Sequence, residues 1–406
     1  MVVVDLRTLL SSLPPDPRVV VSGNHATPWS VLAEIDAALD SYRLWVLNPQ
    51  RGLPDRDGVT YETSFVGPGM RRSPRLHYTP SRLSMVPLLF AGSLPPDLVV
   101  LHTTRPRDGV VSMGIEVNVL PAAIEQTRRR GGKVLAVVNE HMPWTDGDAL
   151  VDLEAVDCLV EADAVVAAAE AVAPDEDAQR IGAMVAARVS DGATIQSGIG
   201  AVPDAVLSGL TGRRGLRVWT EMFSDSVLAL EEAGALDPTV PVHASFLMGS
   251  PALLDWVERT DRVRMIRTET ANDPALIARQ PRMVSINTAL QVDLFAQANA
   301  SRIGARIHSG FGGQTDFFVG AMHSPGGQGI LALRSWHPKA DVSTVVPLLR
   351  EPVTSFQATA VITEQGVAEL AGRTEREQAA ALIEHAARPE ARDELRAAAV
   401  ELGLAD

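Results

Sequence analysis

Short apolar runs rich in Val, Ile and Leu alternate along this chain with stretches whose apolar positions recur at helical spacing. In the first half the runs Arg18–Ser22, Arg43–Leu47, Leu98–His102 and Lys133–Val138 predict strands. The stretches Trp29–Leu39 and Val119–Arg130 predict helices crossing between them. The second half repeats the rhythm, with strands expected at Ala193–Gln196, Leu216–Thr220, Val240–Phe246, Met283–Ile286, Gly329–Leu333, Ser343–Pro347 and Thr359–Thr363. Helices are expected at Ala178–Ala187, Pro203–Leu210, Asp225–Ala233, Pro251–Val257 and Arg376–Leu402, the last interrupted by Pro389. Strands that alternate with helices predict an α/β fold with mainly parallel sheets.

The pattern occurs twice. Ser22-Gly23, Ala26, Pro28 and Val31-Leu32 return 175 residues later as Ser197-Gly198, Ala201, Pro203 and Val206-Leu207. Each copy continues into an apolar run holding a tryptophan, Trp45 or Trp219. Two residues further stands Leu47 in the first copy and Glu221 in the second. An offset this long means duplication of a whole domain, since solenoid repeats run about 20–50 residues. Two similar α/β domains are expected, 1–180 and 181–406. The boundary falls near residues 170–190, where an alanine-rich stretch ends in Pro174-Asp175-Glu176-Asp177.

Composition narrows the function. With 406 residues, 46% hydrophobic and 21% charged, the chain has material for more than one core. A net charge of −14 disfavours nucleic acid and anionic membranes as main partners. Cys158 is the only cysteine, so no disulfide forms within the chain and a reducing cytoplasm is the expected compartment. The nine histidines are scattered without a His-x-x-x-His pair, so no metal site is expected, and no Gly-x-Ser-x-Gly elbow marks a serine hydrolase.

Three segments can carry chemistry. Ser197-Gly198-Ile199-Gly200-Ala201-Val202-Pro203 joins a strand to a helix start through a Gly-x-Gly turn, a place that suits an anion or merely a tight turn. Thr220-Glu221-Met222-Phe223-Ser224-Asp225 sets a carboxylate at the carboxyl end of a strand, where open α/β sheets hold their ligands. Ser224 or Asp225 can cap the helix that follows; Glu221 has no such local role. Ser309–Phe318 packs Gly310, Gly312 and Gly313 together ahead of a helix expected to begin near Gln314. Successive backbone N–H groups there form a nest for an anion or a developing oxyanion. Arg71-Arg72 is a further candidate to face an anionic ligand.

Taken in order, these segments resemble the acetyl-CoA hydrolase/transferase family. The resemblance continues through Ile286–Leu294, Gly326-Gly327, Thr363-Glu364-Gln365-Gly366, Phe65–Arg71 and Val138–Pro143. It implies a CoA-transferase acting on a short-chain acyl-CoA and a carboxylate acceptor through Glu221 as nucleophile. An acyl-CoA hydrolase using the same glutamate, or a degenerate CoA-ester binder, are the alternatives. It further implies that Asn272 orients Glu221 and that Glu364 is a second acid near the site. Gly312 and Gly313 would stabilise the oxyanion, while Gly198, Ile199, Gly200, Ala201, Val202, Ala289 and Gly312 would contact CoA. On this reading coenzyme A is a substrate, no cofactor is bound permanently, and the enzyme is a homodimer. The first domain would shape the acyl and acceptor pocket. Three positions depart from the pattern: Gln328 where relatives have lysine, Gln357 where they have arginine, and Trp144 where they carry a smaller or basic residue.

Overall fold

A computed structural model describes residues 4–166, 173–198, 200–355 and 357–406. The chain divides into two compact units. The first comprises Met1–Glu170, Val242–Ala271 and Ile307–Gly312; the second comprises Ala171–Pro241, Asn272–Arg306 and Gly313–Asp406. Neither unit is one continuous stretch of chain, because two later segments, Val242–Ala271 and Ile307–Gly312, fold with the first unit.

The first unit is built on a seven-stranded parallel sheet of β1 (Arg18–Val21), β2 (Tyr42–Val46), β3 (Val59–Thr63), β4 (Leu76–Tyr78), β5 (Leu98–Thr103), β6 (Lys133–Asn139) and β7 (Cys158–Ala162), in the order β7-β6-β5-β1-β2-β3-β4. Its central strands are near-continuous apolar runs, as parallel strands covered on both faces must be, and Val19, Val99, Val100 and Leu135 are all fully buried. The helix Trp29–Ala38 makes the crossover from β1 to β2 and the helix Leu120–Arg129 that from β5 to β6. Arg18 begins β1 yet is buried, and its guanidinium forms a fork with the buried carboxylate of Glu62 on β3, at 2.5 and 3.1 Å.

The second unit carries a six-stranded sheet of β8 (Thr194–Ser197), β9 (Arg217–Val218), β10 (Val284–Asn287), β11 (Gln328–Ala332), β12 (Ala360–Thr363) and β13 (Gly366–Glu369), in the order β9-β8-β10-β11-β12-β13. Only the last pair, β12 with β13, is antiparallel. The expected C-terminal helix is broken: Glu375–Ala381 runs into a π turn at Leu382–Ala386, Pro389 opens a 3-10 turn, and Arg392–Glu401 resumes the helix.

Set beside one another by connectivity, β2-β1-β5-β6-β7 and β9-β8-β10-β11-β12 follow the same path. The first unit adds β3 and β4 beyond β2, and the second adds β13 beyond β12. In each sheet the chain leaves the central strand to one side and returns on the other, so both contain a switch point at the carboxyl ends of β1/β5 and β8/β10. The ladders also correct one correspondence read from sequence. Val20 pairs with Trp45, whereas its equivalent Ile195 pairs with Val218, because the second connection is two residues shorter. The positional twin of Glu221 is therefore Asn48, and Leu47 corresponds to Thr220.

Candidate active site

Glu221 follows β9 on a turn held from below. Trp219 N–H donates to Ile195 O at 3.2 Å, and the buried Thr220 hydroxyl lies 3.3 Å from Ser197 O and 2.9 Å from Met222 O. The contacts to Ile195 O and Ser197 O tie the turn to the carboxyl end of β8. Asn272, fully buried just before the short helix Pro274–Ile277, points Nδ2 at Glu221 Oε2 at 3.4 Å. The third member is Gly313, the N-cap of the helix Gln314–His323. A Cβ at this position would lie 2.2 Å from Glu221 Oε2 and 2.2 Å from Asn272 Nδ2, so any side chain would collide with both groups. The structure thus brings together Glu221, Asn272 and Gly313, which are far apart in the chain.

The three glycines of this loop are needed for three different reasons. Gly310 lies where a Cβ would meet Ser64 O at 2.5 Å, Gly312 adopts a left-handed φ of +60°, and Gly313 makes room for the carboxylate. Gly312 groups with the first unit, where its carbonyl accepts from Leu83 N–H.

Protein surrounding the half-buried Glu221 pushes its pKa up to about 7. The Asn272 amide opposes that rise, and the charge of Asp316 adds to it. Asp316 stands in the first turn of the helix that Gly313 caps, and is 2% exposed. Asp316 lies in the glycine-rich segment Ser309–Phe318, where its place three residues after Gly313 is the one signal the sequence carries for it.

The Gly-x-Gly turn behaves differently in the two copies. In the first, a Cβ on Gly23 would sit 2.2 Å from Leu47 O, so packing explains the glycine. Among the described residues, neither Gly198 nor Gly200 has a neighbour within 4 Å of such a Cβ, so packing there explains neither. Gly200, at φ +120°, is the N-cap of Ala201–Ser208, and Gly198 lines a small cavity with Ile195, Leu207, Val218 and Phe223. Ala201 and Val202 open that helix, half-buried, while Ile199 lies outside the described residues. Ala289 packs on the edge of the second unit's core.

Glu364 is engaged elsewhere. It accepts from the Ser335 N–H at 2.9 Å, from the Ser335 hydroxyl, and from Gln365 Nε2 at 3.1 Å. Burial raises its pKa, but these donors hold it below the usual glutamate value. Gln328 exchanges hydrogen bonds with Arg188, whose guanidinium also pairs with Glu369 at 2.5 Å. A cation is therefore present beside the position where the family pattern expects lysine. Trp144 lies under the Arg107 guanidinium at 4.6 Å, and Arg71 donates to His308 O at 2.8 Å.

In the first unit the matching switch point is closed by internal bonds. Asn48 Nδ2 donates to Asn24 Oδ1 at 2.8 Å, and Asn24 Nδ2 donates to the buried Glu116 carboxylate at 2.7 Å. On the surface of this unit Glu140, His141 and Asp163 place ligand-type atoms within 4.8 Å, where His141 and Asp163 form an exposed pair at 3.0 Å. No described helix is long and apolar enough to cross a membrane.

Comparison with known proteins fits this geometry. Residues 56–170 match the acetyl-CoA hydrolase/transferase N-terminal domain and residues 249–399 match the C-terminal domain. A succinyl-CoA:acetate/propanoyl-CoA:succinate CoA transferase from Fasciola hepatica is 34% identical over 95% of this chain and 84% of its own length. A 4-hydroxybutyrate coenzyme A transferase from Clostridium kluyveri is 36% identical over 82% of this chain and 80% of its own. The crystal structure of a 4-hydroxybutyrate CoA-transferase from Porphyromonas gingivalis superposes with a TM-score of 0.81 at 29% identity, covering 98% of this chain and 97% of that one. The chain belongs to the acetyl-CoA hydrolase/transferase family, an enzyme family of CoA-transferases with hydrolase relatives.

Proposed function

We propose that this enzyme moves CoA between a short-chain acyl-CoA and a small carboxylate by a ping-pong mechanism with Glu221 as nucleophile. The observation that carries the reading is the Glu221 carboxyl held between Asn272 and Gly313, its pKa raised to about 7. As the anion, Glu221 attacks the thioester carbonyl: a C–O bond forms, the C–S bond breaks, and CoA leaves as thiolate. The thiolate attacks the glutamyl carbonyl of the resulting anhydride and releases the acyl group as a carboxylate, leaving a glutamyl-CoA thioester. An acceptor carboxylate then runs the two steps in reverse.

Each step passes through a tetrahedral oxyanion. The first-turn N–H groups of Gln314–His323 have no intrahelical partner, and Gly313 N–H stands beside them as oxyanion donor. Asn272 orients the nucleophile. The open turn at Gly198 and Gly200 admits the CoA chain close to the backbone. Coenzyme A is a substrate in this scheme, and the chemistry requires no resident cofactor.

The test is intact mass spectrometry after incubation with acetyl-CoA or butyryl-CoA, with and without acetate or another carboxylate. A CoA adduct on Glu221 that turns over only with the acceptor is expected. Rapid release into water alone assigns a hydrolase. Glu221→Gln and Glu221→Asp are expected to abolish transfer, by about 10³-fold or more, with the fold intact. Wild-type rates in both variants overturn the assignment.

A further inference from the structure

We propose that Asp316 is a positioning residue for Glu221: its buried carboxylate repels the Glu221 anion across one helix N-terminus and makes that anion a stronger nucleophile. The proposal rests on Glu221 being the nucleophile. Its basis is placement. Gly313 caps Gln314–His323 and abuts Glu221 Oε2, and Asp316 lies in the first turn of that same helix at 2% exposure. Two carboxyls thus converge on one helix end.

A first-turn acid ordinarily needs no explanation, since it complements the helix dipole. That role is served equally well in solvent, where a carboxylate costs nothing to hydrate. Burial is costly for the charged form and so calls for a reason. Two like charges sharing a confined place raise each other's affinity for a proton, and the charge of Asp316 contributes to the raised pKa of Glu221.

The reaction turns this repulsion into rate. When Glu221 Oε bonds to the thioester carbon and the C–S bond breaks, its negative charge leaves with the CoA thiolate. The acylated side chain is neutral, so the repulsion present in the free enzyme is relieved as the bond forms. Asp316 is the charged neighbour that adds to the rise in the Glu221 pKa. The helix Pro274–Ile277 and strands β10 and β11 pack on Gln314–His323. Among their described residues and caps the one titratable group is Asp273, whose carboxylate is turned to the Ala275 N–H at 2.8 Å.

The experiment is a carbon-13 titration of the Glu221 carboxyl, assigned with Glu221→Gln, in the wild type, Asp316→Asn and Asp316→Glu. Single-turnover release of acetate from acetyl-CoA, with formation of the glutamyl-CoA adduct, is measured on the same proteins. Asp316→Asn is expected to move the Glu221 midpoint to lower pH and to slow acetate release above pH 8 by roughly tenfold. Asp316→Glu keeps the charge and is expected to keep the raised midpoint; Asp316→Ser replaces the Asn variant should that fail to fold. An unmoved midpoint in a folded, uncharged variant overturns the proposal, including where activity is lost. The titration uses no substrate, so it separates the two readings. A midpoint that moves in a protein without acyl-CoA turnover overturns CoA transfer alone. Turnover with an unmoved midpoint overturns the role of Asp316 alone.

Discussion

In the proposed mechanism Glu221 combines two properties that seldom coincide, a half-buried carboxyl and a reaction that needs its anion. With its pKa near 7, kcat/KM for acyl-CoA is expected to rise with pH through a limb centred about 7 and to level off above it. An acid limb near 4.5 would show that the site does not perturb this residue. The same shift acts on stability. The folded-state value lies above the ordinary glutamate value of 4.5, so this residue's contribution is fully present below pH 4.5 and is lost as pH rises through about 7. Glu221→Gln, which cannot ionise, is therefore expected to match the wild type at pH 4 and to exceed it by up to about 3 kcal/mol at pH 8. Urea unfolding at the two pH values checks this. That Glu221 needed explaining was legible in the sequence, because neither a cap nor a strand requires an acid there. Its partners were not legible from spacing, since contacts between residues 221, 272 and 313 exist only after β8, β10 and their crossovers have assembled.

At the scale of elements the glycines separate packing from chemistry. Gly313 ends a loop and begins a helix, and its missing side chain is the space Glu221 and Asn272 occupy. Gly313→Ala is expected to displace the carboxylate and lower kcat about 10²-fold. Gly198→Ala fills open space, so it is expected to change stability by no more than about 0.5 kcal/mol while raising KM for acyl-CoA. Equal effects of the two on kcat would contradict the division. In the sequence all of these glycines look alike. Glycine density marked the Ser309–Phe318 loop correctly, but density does not say which Cβ would strike which atom.

The whole molecule is a duplication in which the second copy carries the candidate site. Its two sheets share five strands in the same order, each with its own core. In the first unit Asn48, Asn24 and Glu116 satisfy one another at the switch point, whereas the second carries a carboxylate with a raised pKa at the position matching Asn48. Separate cores imply local consequences for core damage. Arg18→Met strands the buried Glu62 carboxylate, with an expected loss of about 3–5 kcal/mol. Amide hydrogen exchange is expected to accelerate in β1–β3 and to stay unchanged in β8–β11. Equal acceleration in both sheets would show a single cooperative unit.

Periodicity and the 175-residue repeat were enough to establish parallel α/β architecture, duplication and an acid in only one copy, because strand pattern and local turn chemistry depend on neighbours in the chain. Tertiary structure decided the remainder. The ladder register moved the twin of Glu221 from Leu47 to Asn48, since a connection two residues shorter is invisible until strands pair. Folding also sent Val242–Ala271 and Ile307–Gly312 to the first unit, and gathered Asn272, Gly313 and Asp316 around a carboxylate whose basicity is set by what surrounds it. Burial and through-space charge are sums over neighbours that the order of residues does not contain.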